Sequence, residues 1–252
     1  MNSIAIGVHN LSYAYPDGTP ALRGLTFEVK TGENMALVGR NGAGKSTLLL
    51  ALGGFLDAKS TQGSIEIGGL TLEKSAVDAI RRKLGIVFQN PDHQLFMPTV
   101  EDDIAFGPLN MGLEHDEIDR RVDGSLRQTG TEHLRGKPPH HLSVGEKHRV
   151  AIATVLSMEP EILLMDEPSS NLDPAGRRSL IELLRSMPHT ILIAGHDLEL
   201  MLELCPKTYI IDDGRVVASG PTIDLLADEP LMLKHGLEVP ASLRNGKVQR
   251  TS

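Results

Sequence analysis

Apolar and polar residues alternate in "GLTFEV", where Leu25, Phe27 and Val29 fall on one side; a period of two predicts a half-buried strand. "NMALVG" is a short apolar run that stops at glycine, and after a loop of small residues "STLLLALGGFL" reads as a helix. "SIEIGG" and "LGIVFQ" predict further strands. From Asn90 to about Met158 strand-like runs vanish. "TVEDDIAFG" opens with a cap candidate, Thr99, and an acid, Asp102. "EHDEIDRRVDGSLRQTG" carries Ile118, Val122 and Leu126 at helical spacing, and "VAIATVLSM" places Val150, Ala151, Thr154, Val155 and Met158 on one helix face. Strands return at "EILLMDEP" and "HTILIAG", with "DPAGRRSLIELLRSM" as a helix between them. "TYIIDDGRVVASG" predicts a hairpin turning at Asp213-Gly214. Beyond about Leu226 the patterning fades. The outline is an α/β core, residues 1–89 and 159–225, interrupted by an all-helical insert at 90–158 and followed by a tail at 226–252.

Composition narrows this. With 252 residues the chain is long enough for a sizeable core. Aromatics make up 3% with no tryptophan, so the apolar material is Leu, Ile, Val and Ala, which suits helices packed on a parallel sheet. The net charge of -8 argues against a protein that coats nucleic acid. A single cysteine, Cys205, cannot form an internal disulfide and fits a reducing compartment. No secretion signal is recognisable, and the apolar runs are too short to span a bilayer, so no direct membrane insertion is expected.

The candidate chemistry begins at "GRNGAGKST", Gly39 to Thr47, which fits G-x-x-x-x-G-K-[ST]. Phosphate oxygens need several donors converging at short range. Glycines leave the backbone amides free to supply them, and the following helix aims its N-terminus at the same anion. Gly39, Asn41, Gly42, Ala43 and Gly44 are therefore candidates for cradling a nucleotide. Lys45 is expected to bridge the β- and γ-phosphates, Ser46 to ligate magnesium and Thr47 to support the α-phosphate side. "ILLMDEP" is the natural partner: a buried strand brings Asp166 and Glu167 to its C-terminal end, where ligands of α/β sheets bind. Asp166 is the expected magnesium holder, and Glu167 the group that orients or deprotonates an attacking water. A third stretch, "HLSVGEKHRV", has Ser143 with Glu146 three places on, a capping box. Gly145 in that first turn costs helix stability without helping the cap, which suggests a close approach from outside.

Taken together these motifs resemble the ATP-binding-cassette (ABC) ATPases, from about residue 4 to about residue 225. The resemblance implies a P-loop NTPase, RecA-like core with a mixed sheet, an antiparallel β part and an inserted helical subdomain, with ATP and Mg2+ as ligands. "LSVGE" is similar to the family's LSGGQ signature; Ser143 and Gly145 would then reach the γ-phosphate of ATP held by the opposite subunit. Gln89 in "VFQNPDHQ" resembles the Q-loop glutamine, which touches magnesium where the membrane partner docks. "SSNLD", ending at Asp173, resembles the D-loop, and His196 in "IAGHD" the switch histidine. Tyr15 in "LSYAYPDG" resembles the aromatic that stacks on adenine, with Tyr13 as its competitor. Two departures stand out: Val144 replaces the second signature glycine, and Glu146 replaces glutamine, putting a carboxylate near a phosphate.

The stretch "FQNPDHQLFMPTVEDDIAFGPLNMGL" is similar to ATPases of energy-coupling-factor (ECF) importers. This resemblance implies a homodimer at the cytoplasmic face of the membrane, a transmembrane coupling subunit and a substrate-binding membrane subunit. Cobalt or nickel is the expected cargo, with a vitamin importer as the alternative. A soluble ABC protein acting on nucleic acid or ribosomes is the contrasting class; the single cassette and acidic balance speak against it, and no nucleic-acid partner is expected. A nucleotide binder without turnover is a third option, opposed by the full motif set. The ten histidines include His115, His133 and His140-His141 and lack metal-ligand spacing, so surface positions are expected for them, as for the run Arg81–Lys83.

Overall fold

The computed structural model describes residues 3–244. The chain runs β1 (Ile4–Ala14), β2 (Pro20–Lys30), β3 (Asn34–Val38), α1 (Lys45–Leu52), β4 (Thr61–Ile67), β5 (Leu70–Thr71), α2 (Val77–Lys83) and β6 (Leu84–Val87). Three helices follow without a strand: α3 (Val100–Asn110), α4 (His115–Thr129) and α5 (Val144–Leu156). Then come β7 (Ile162–Asp166), α6 (Pro174–Arg185), β8 (Thr190–Gly195), α7 (Leu198–Leu204), β9 (Lys207–Asp212) and β10 (Arg215–Pro221). Three short helices close the described chain: α8 (Thr222–Ala227), α9 (Glu229–Lys234) and α10 (Ala241–Arg244).

The strands form two sheets. One is antiparallel, in the order β2-β1-β4-β5; the other has the order β10-β9-β3-β8-β7-β6 and is parallel except for its edge strand β10. The parallel strands read as unbroken apolar runs because both of their faces are covered. In β3, Met35 and Leu37 point into a core shared with α1 and the antiparallel sheet, while Ala36 and Val38 point into a second core under α5, α6 and α7. Leu164 and Leu192 join the first core; Leu163, Met165, Ile191 and Ile193 join the second. The antiparallel strand β2 alternates instead, with Leu25, Phe27 and Val29 buried and Glu28 and Lys30 exposed.

The insert has its own core, built from Val100 and Ile104 of α3, Ile118, Val122 and Leu126 of α4, and Val150, Ala151 and Ala153 of α5. Thr99 caps α3 by accepting from the Asp102 amide, as the sequence predicts. Helix α5 departs from the single face read from its sequence. Ile152, Val155 and Leu156 belong to the core under the main sheet, so the helix is buried from both sides and joins insert to core. Its contact with the sheet is close: a side chain at Gly85 of β6 would meet Val155 Cγ1 at 2.0 Å.

The stretch after Leu226, read from sequence as a weakly patterned tail, carries α9 and α10 within the described residues. Met232, Leu237 and Val239 are buried in the second core. These apolar residues are too widely spaced for a periodic signal. Residues 245–252 of the expected tail lie outside the described residues.

Candidate nucleotide and docking sites

Three neighbouring strands, β3, β8 and β7, end side by side and deliver the loop after Val38, Gly195-His196 and Asp166-Glu167 to one edge of the sheet. This is the carboxyl edge, where open α/β sheets bind ligands. A cavity of about 460 Å³ lies there. Of the residues proposed from the sequence, Tyr15, Asn41, Gly42, Gly44, Lys45, Ser46, Thr47, Gln89, Glu167 and His196 line it. Thr19, Pro20 and Ala21 from the β1–β2 turn also line it, a contribution with no motif of its own.

Gly39 and Ala43 lie under the loop rather than in its mouth. A Cβ on Gly39 would sit 2.4 Å from the Ile211 carbonyl oxygen, and the Ala43 carbonyl accepts from the Gly214 amide at 3.1 Å. Gly44, at φ 105°, precedes α1, and a Cβ there would meet the Ala21 carbonyl oxygen at 2.7 Å. Glycine at 39 and 44 is thus demanded by backbone from β9 and β2 pressing on the loop.

Lys45 is buried, and its Nζ donates to the carbonyls of Gly39 at 2.7 Å and Arg40 at 3.2 Å. Burial lowers its ammonium pKa, while Glu167 and Asp166 act the other way. Burial raises the Asp166 carboxyl pKa against a hydrogen bond from Ser46, and Asp166 Oδ1 is buried without a partner. A buried carboxylate oxygen with no donor, on a side chain bonded to the Ser46 hydroxyl, fits a hard cation such as Mg2+; Gln89, like Ser46, lines the cavity.

Glu167 has φ 49°, an uncommon conformation for a non-glycine residue, fixed by its amide donating to the Ala194 carbonyl at 2.8 Å. The carboxylate is swung back onto β8. Oε2 accepts from the His196 amide at 3.2 Å and lies 2.6 Å from His196 Nδ1; Oε1 is 3.9 Å from Lys45 Nζ. Its near-complete burial beside an exposed imidazole, 66% accessible, makes a carboxylate–histidine pair facing the cavity.

The two tyrosines differ in placement, and Tyr15 lines the cavity. It is 40% exposed and its hydroxyl shares a hydrogen bond with Thr47 Oγ1 at 2.8 Å, whereas Tyr13 is buried in the first core.

Ser143, Gly145 and Asp173 do not line the cavity. Ser143 caps α5, and the capping box is complete: Glu146 Oε2 accepts from the Ser143 amide at 2.8 Å and hydroxyl at 2.7 Å, and Ser143 Oγ accepts from the Glu146 amide at 3.4 Å. These bonds lower the Glu146 pKa. A Cβ on Gly145 would find only Leu172 Cδ2, at 4.0 Å, so no packing contact among the described residues requires glycine there. Asp173 caps α6, accepting from the Gly176 amide at 2.7 Å. The stretch around Gly145 therefore lies beside the loop 169–173.

Polar expectations are corrected at His148, at Arg81 and at His235, whose side chain is 10% exposed and bonds Asp212. His148 is 2% exposed rather than on the surface; burial lowers its pKa, and its ring bonds to the Ser170 backbone, linking α5 to the loop after β7. Arg81 is no simple solvated charge: it donates to the Gly53 and Gly54 carbonyls beyond α1 and stacks 4.5 Å over the Phe55 ring.

A second cavity, about 760 Å³, opens between α2 and the insert. Phe55, Phe88, Phe96, Phe106 and Met158 supply its apolar wall, with Asp78, Arg81, Arg82 and Asp103 as charged groups. Phe96 and Phe106 are exposed yet pack edge to face at 5.1 Å, and Leu109 is also exposed on α3. Asp103 Oδ1 accepts from the Phe96 and Met97 amides and holds that loop in place.

A glycine-cradled loop opening a helix, a strand-end carboxylate pair and a helical insert define a P-loop nucleotide hydrolase of the cassette type. The match of residues 22–170 to the ABC transporter family model makes the assignment direct: the chain belongs to the ABC transporter family, as an ATP-hydrolysing, ATP-binding subunit. A putative ABC transporter ATP-binding protein of Geobacter sulfurreducens is 51% identical over 244 residues, 97% of each chain. The energy-coupling factor transporter ATP-binding protein EcfA of Methanothermobacter thermautotrophicus is 44% identical, covering 93% of this chain and 76% of that one. Among solved structures, cbiO1 from Clostridium perfringens, described as part of the ABC transporter complex cbiONQ, superposes with a TM-score of 0.82 at 39% identity, covering 98% and 100% of the two chains. A dimeric ATP-binding cassette in a post-hydrolysis state, bound to ADP and Pi, aligns with a TM-score of 0.75 at 26% identity, covering 86% and 98%.

Proposed function

We propose that this chain energises an ECF-type importer of a transition metal, cobalt or nickel, as a homodimer on the cytoplasmic face of the membrane. The observation that carries the coupling is the placement of two consecutive residues: Phe88 lines the groove between α2 and the insert, and Gln89 lines the nucleotide cavity. A transmembrane subunit seated in the groove through an apolar helix would press on the same short segment that reaches the nucleotide. The likeness to EcfA supports the ECF assignment, and the likeness to cbiO1 of the cbiONQ complex supports a role within a multi-subunit transporter. No helix among the described residues is long and apolar enough to cross a membrane, so the transmembrane path would belong to partner subunits.

In this reading Tyr15 stacks on adenine, the amides of the loop 39–47 and the ammonium of Lys45 hold the phosphates, and Ser46, Asp166 and Gln89 hold Mg2+. The ion supplies charge neutralisation on the phosphoryl oxygens. Glu167 accepts a proton from the attacking water as its oxygen bonds to the γ-phosphorus. The bond to the bridging oxygen breaks, leaving ADP and inorganic phosphate. His196 orients the Glu167 carboxylate through Nδ1 and faces the γ-phosphate. Ser143 and Gly145 of a second copy close the open side of that phosphate, with Asp173 in the loop between the two sites. Exclusion of water there strengthens each electrostatic contact.

Copurification from native membranes in mild detergent, with identification of bound metal, tests the assignment. A coupling subunit together with a cobalt- or nickel-binding membrane protein is the expected catch. A vitamin-binding membrane subunit would move the cargo, and an export-type domain or no membrane partner at all would overturn the importer reading.

A further inference from the structure

The stretch after α8 makes polar contacts with the end of β9 and the first turn of α7, elements that lead to or from the nucleotide cavity. His235, 10% exposed, places Nδ1 3.0 Å from Asp212 Oδ2. Asp212 is the last residue of β9, and its other oxygen forms an ion pair with the half-exposed Arg40 of the phosphate loop, 3.0 Å from Nε but without hydrogen-bond geometry. Gly236 continues against the same arginine: a Cβ there would be 3.8 Å from Arg40 Cδ. Downstream, Ser242 donates to Glu199 through its amide at 3.0 Å and its hydroxyl at 2.6 Å, and Glu199 is in the first turn of α7, three residues after His196. Buried Leu237 and Val239 fix the segment between these contacts, and buried Met232 anchors the stretch just before it. The chain 229–244 thus runs as a strap from the phosphate loop to the helix that follows the histidine.

At its N-terminal end the loop it touches is also held by main-chain packing and by the Lys45 ammonium. The Ile211 carbonyl abuts Gly39, the Gly214 amide donates to Ala43, and Lys45 bonds the Gly39 and Arg40 carbonyls. Arg40 is where a side-chain contact reaches the N-terminal half of that loop, while Tyr15 reaches its far end through Thr47. The bond from His235, with Arg40 alongside, keeps the Asp212 carboxyl below the usual carboxylate range, so the relay is charge-assisted.

We infer that His235 is a positioning residue for nucleotide binding: through Asp212 it fixes Arg40, and with it the phosphate loop. The role is separate from hydrolysis, because none of the three residues lines the cavity. The inference rests on the loop 39–47 gripping phosphate, as proposed above.

The full chain can be assayed for ATP affinity by equilibrium dialysis with labelled ATP, and for KM and kcat by phosphate release. His235→Phe keeps the ring volume and loses the donor. It is expected to raise the dissociation constant and KM for ATP about five- to tenfold, the order of one hydrogen bond to a charged group, with kcat within about twofold. His235→Asn, whose amide can replace Nδ1, should restore affinity to within about twofold of the parent, whereas a purely structural role would leave both variants equally impaired. In an Arg40→Met background His235→Phe should add nothing further. Unchanged affinity in His235→Phe, failure of His235→Asn to rescue, or additive losses in the double variant would each overturn the proposal. Should His235→Phe not fold, Asp212→Asn takes its place, and normal ATP affinity there overturns the relay equally. Lys45→Ala separates the two readings. If it retains ATP affinity, the loop's phosphate role fails; if it loses affinity while His235→Phe does not, only the positioning role fails.

Discussion

At the scale of single residues, Glu167 and Glu146 are two carboxylates with opposite fates. Glu167 lines the cavity, its carboxylate held by His196 and by its own left-handed backbone, with Lys45 3.9 Å away. Replacing it with glutamine keeps the volume and removes the base. Glu167→Gln should cut phosphate release by a factor of about 100 or more while leaving an ATP-dependent dimer detectable by sedimentation. A monomer with full activity would falsify the shared site. Glu146 instead turns inward as the capping partner of Ser143, occupying the amide that the proposed contact with a second copy's nucleotide would use. Glutamine can cap equally well without the charge. Glu146→Gln should therefore leave the melting temperature nearly unchanged but lower the ATP concentration for dimer formation about three- to tenfold, by removing a carboxylate from the neighbourhood of a phosphate. Weaker dimerisation in this variant would show that the carboxylate assists closure.

At the scale of elements, the motif-bearing strands and the hairpin at Asp213-Gly214 follow from short-range pattern, and both turn residues have positive φ. Helix α5 shows where such pattern stops being informative. Its sequence reads as one apolar face, yet seven consecutive residues from Val150 to Leu156 are buried because it is wedged between two cores. Periodicity reports one covered side; a helix covered on two sides blurs it. The β6–α5 contact at Gly85 is the seam of that wedge. Gly85→Ala places a methyl carbon inside the Val155 side chain and against Leu163, so thermal or urea unfolding should show a loss of about 1–3 kcal/mol. An unchanged midpoint would mean that α5 is free to shift, and with it the signature.

At the scale of the whole molecule, an apolar groove and a polar cavity meet at Phe88 and Gln89. The exposed aromatic pair Phe96 and Phe106 at the groove rim is an unusual feature in a chain so poor in aromatics. Phe106→Asp should abolish copurification of the membrane subunit while shifting the stability of the isolated chain by no more than about 0.5 kcal/mol, since the side chain is 42% exposed. Retained copurification would place the docking surface elsewhere.

The sequence by itself determined the phosphate loop, the strand-end acids, the capping box and the α/β order with a helical interruption. Each is written in contiguous residues whose spacing carries the physics. Tertiary structure alone decided which tyrosine faces the cavity, that Thr19–Ala21 help line it, that His148 is buried, and that the segment beyond Leu226 packs back to reach Arg40 through Asp212. Those outcomes depend on contacts between residues far apart in the chain. The distant partner that covers a side chain, or leaves it to water, has no local imprint on the sequence around it.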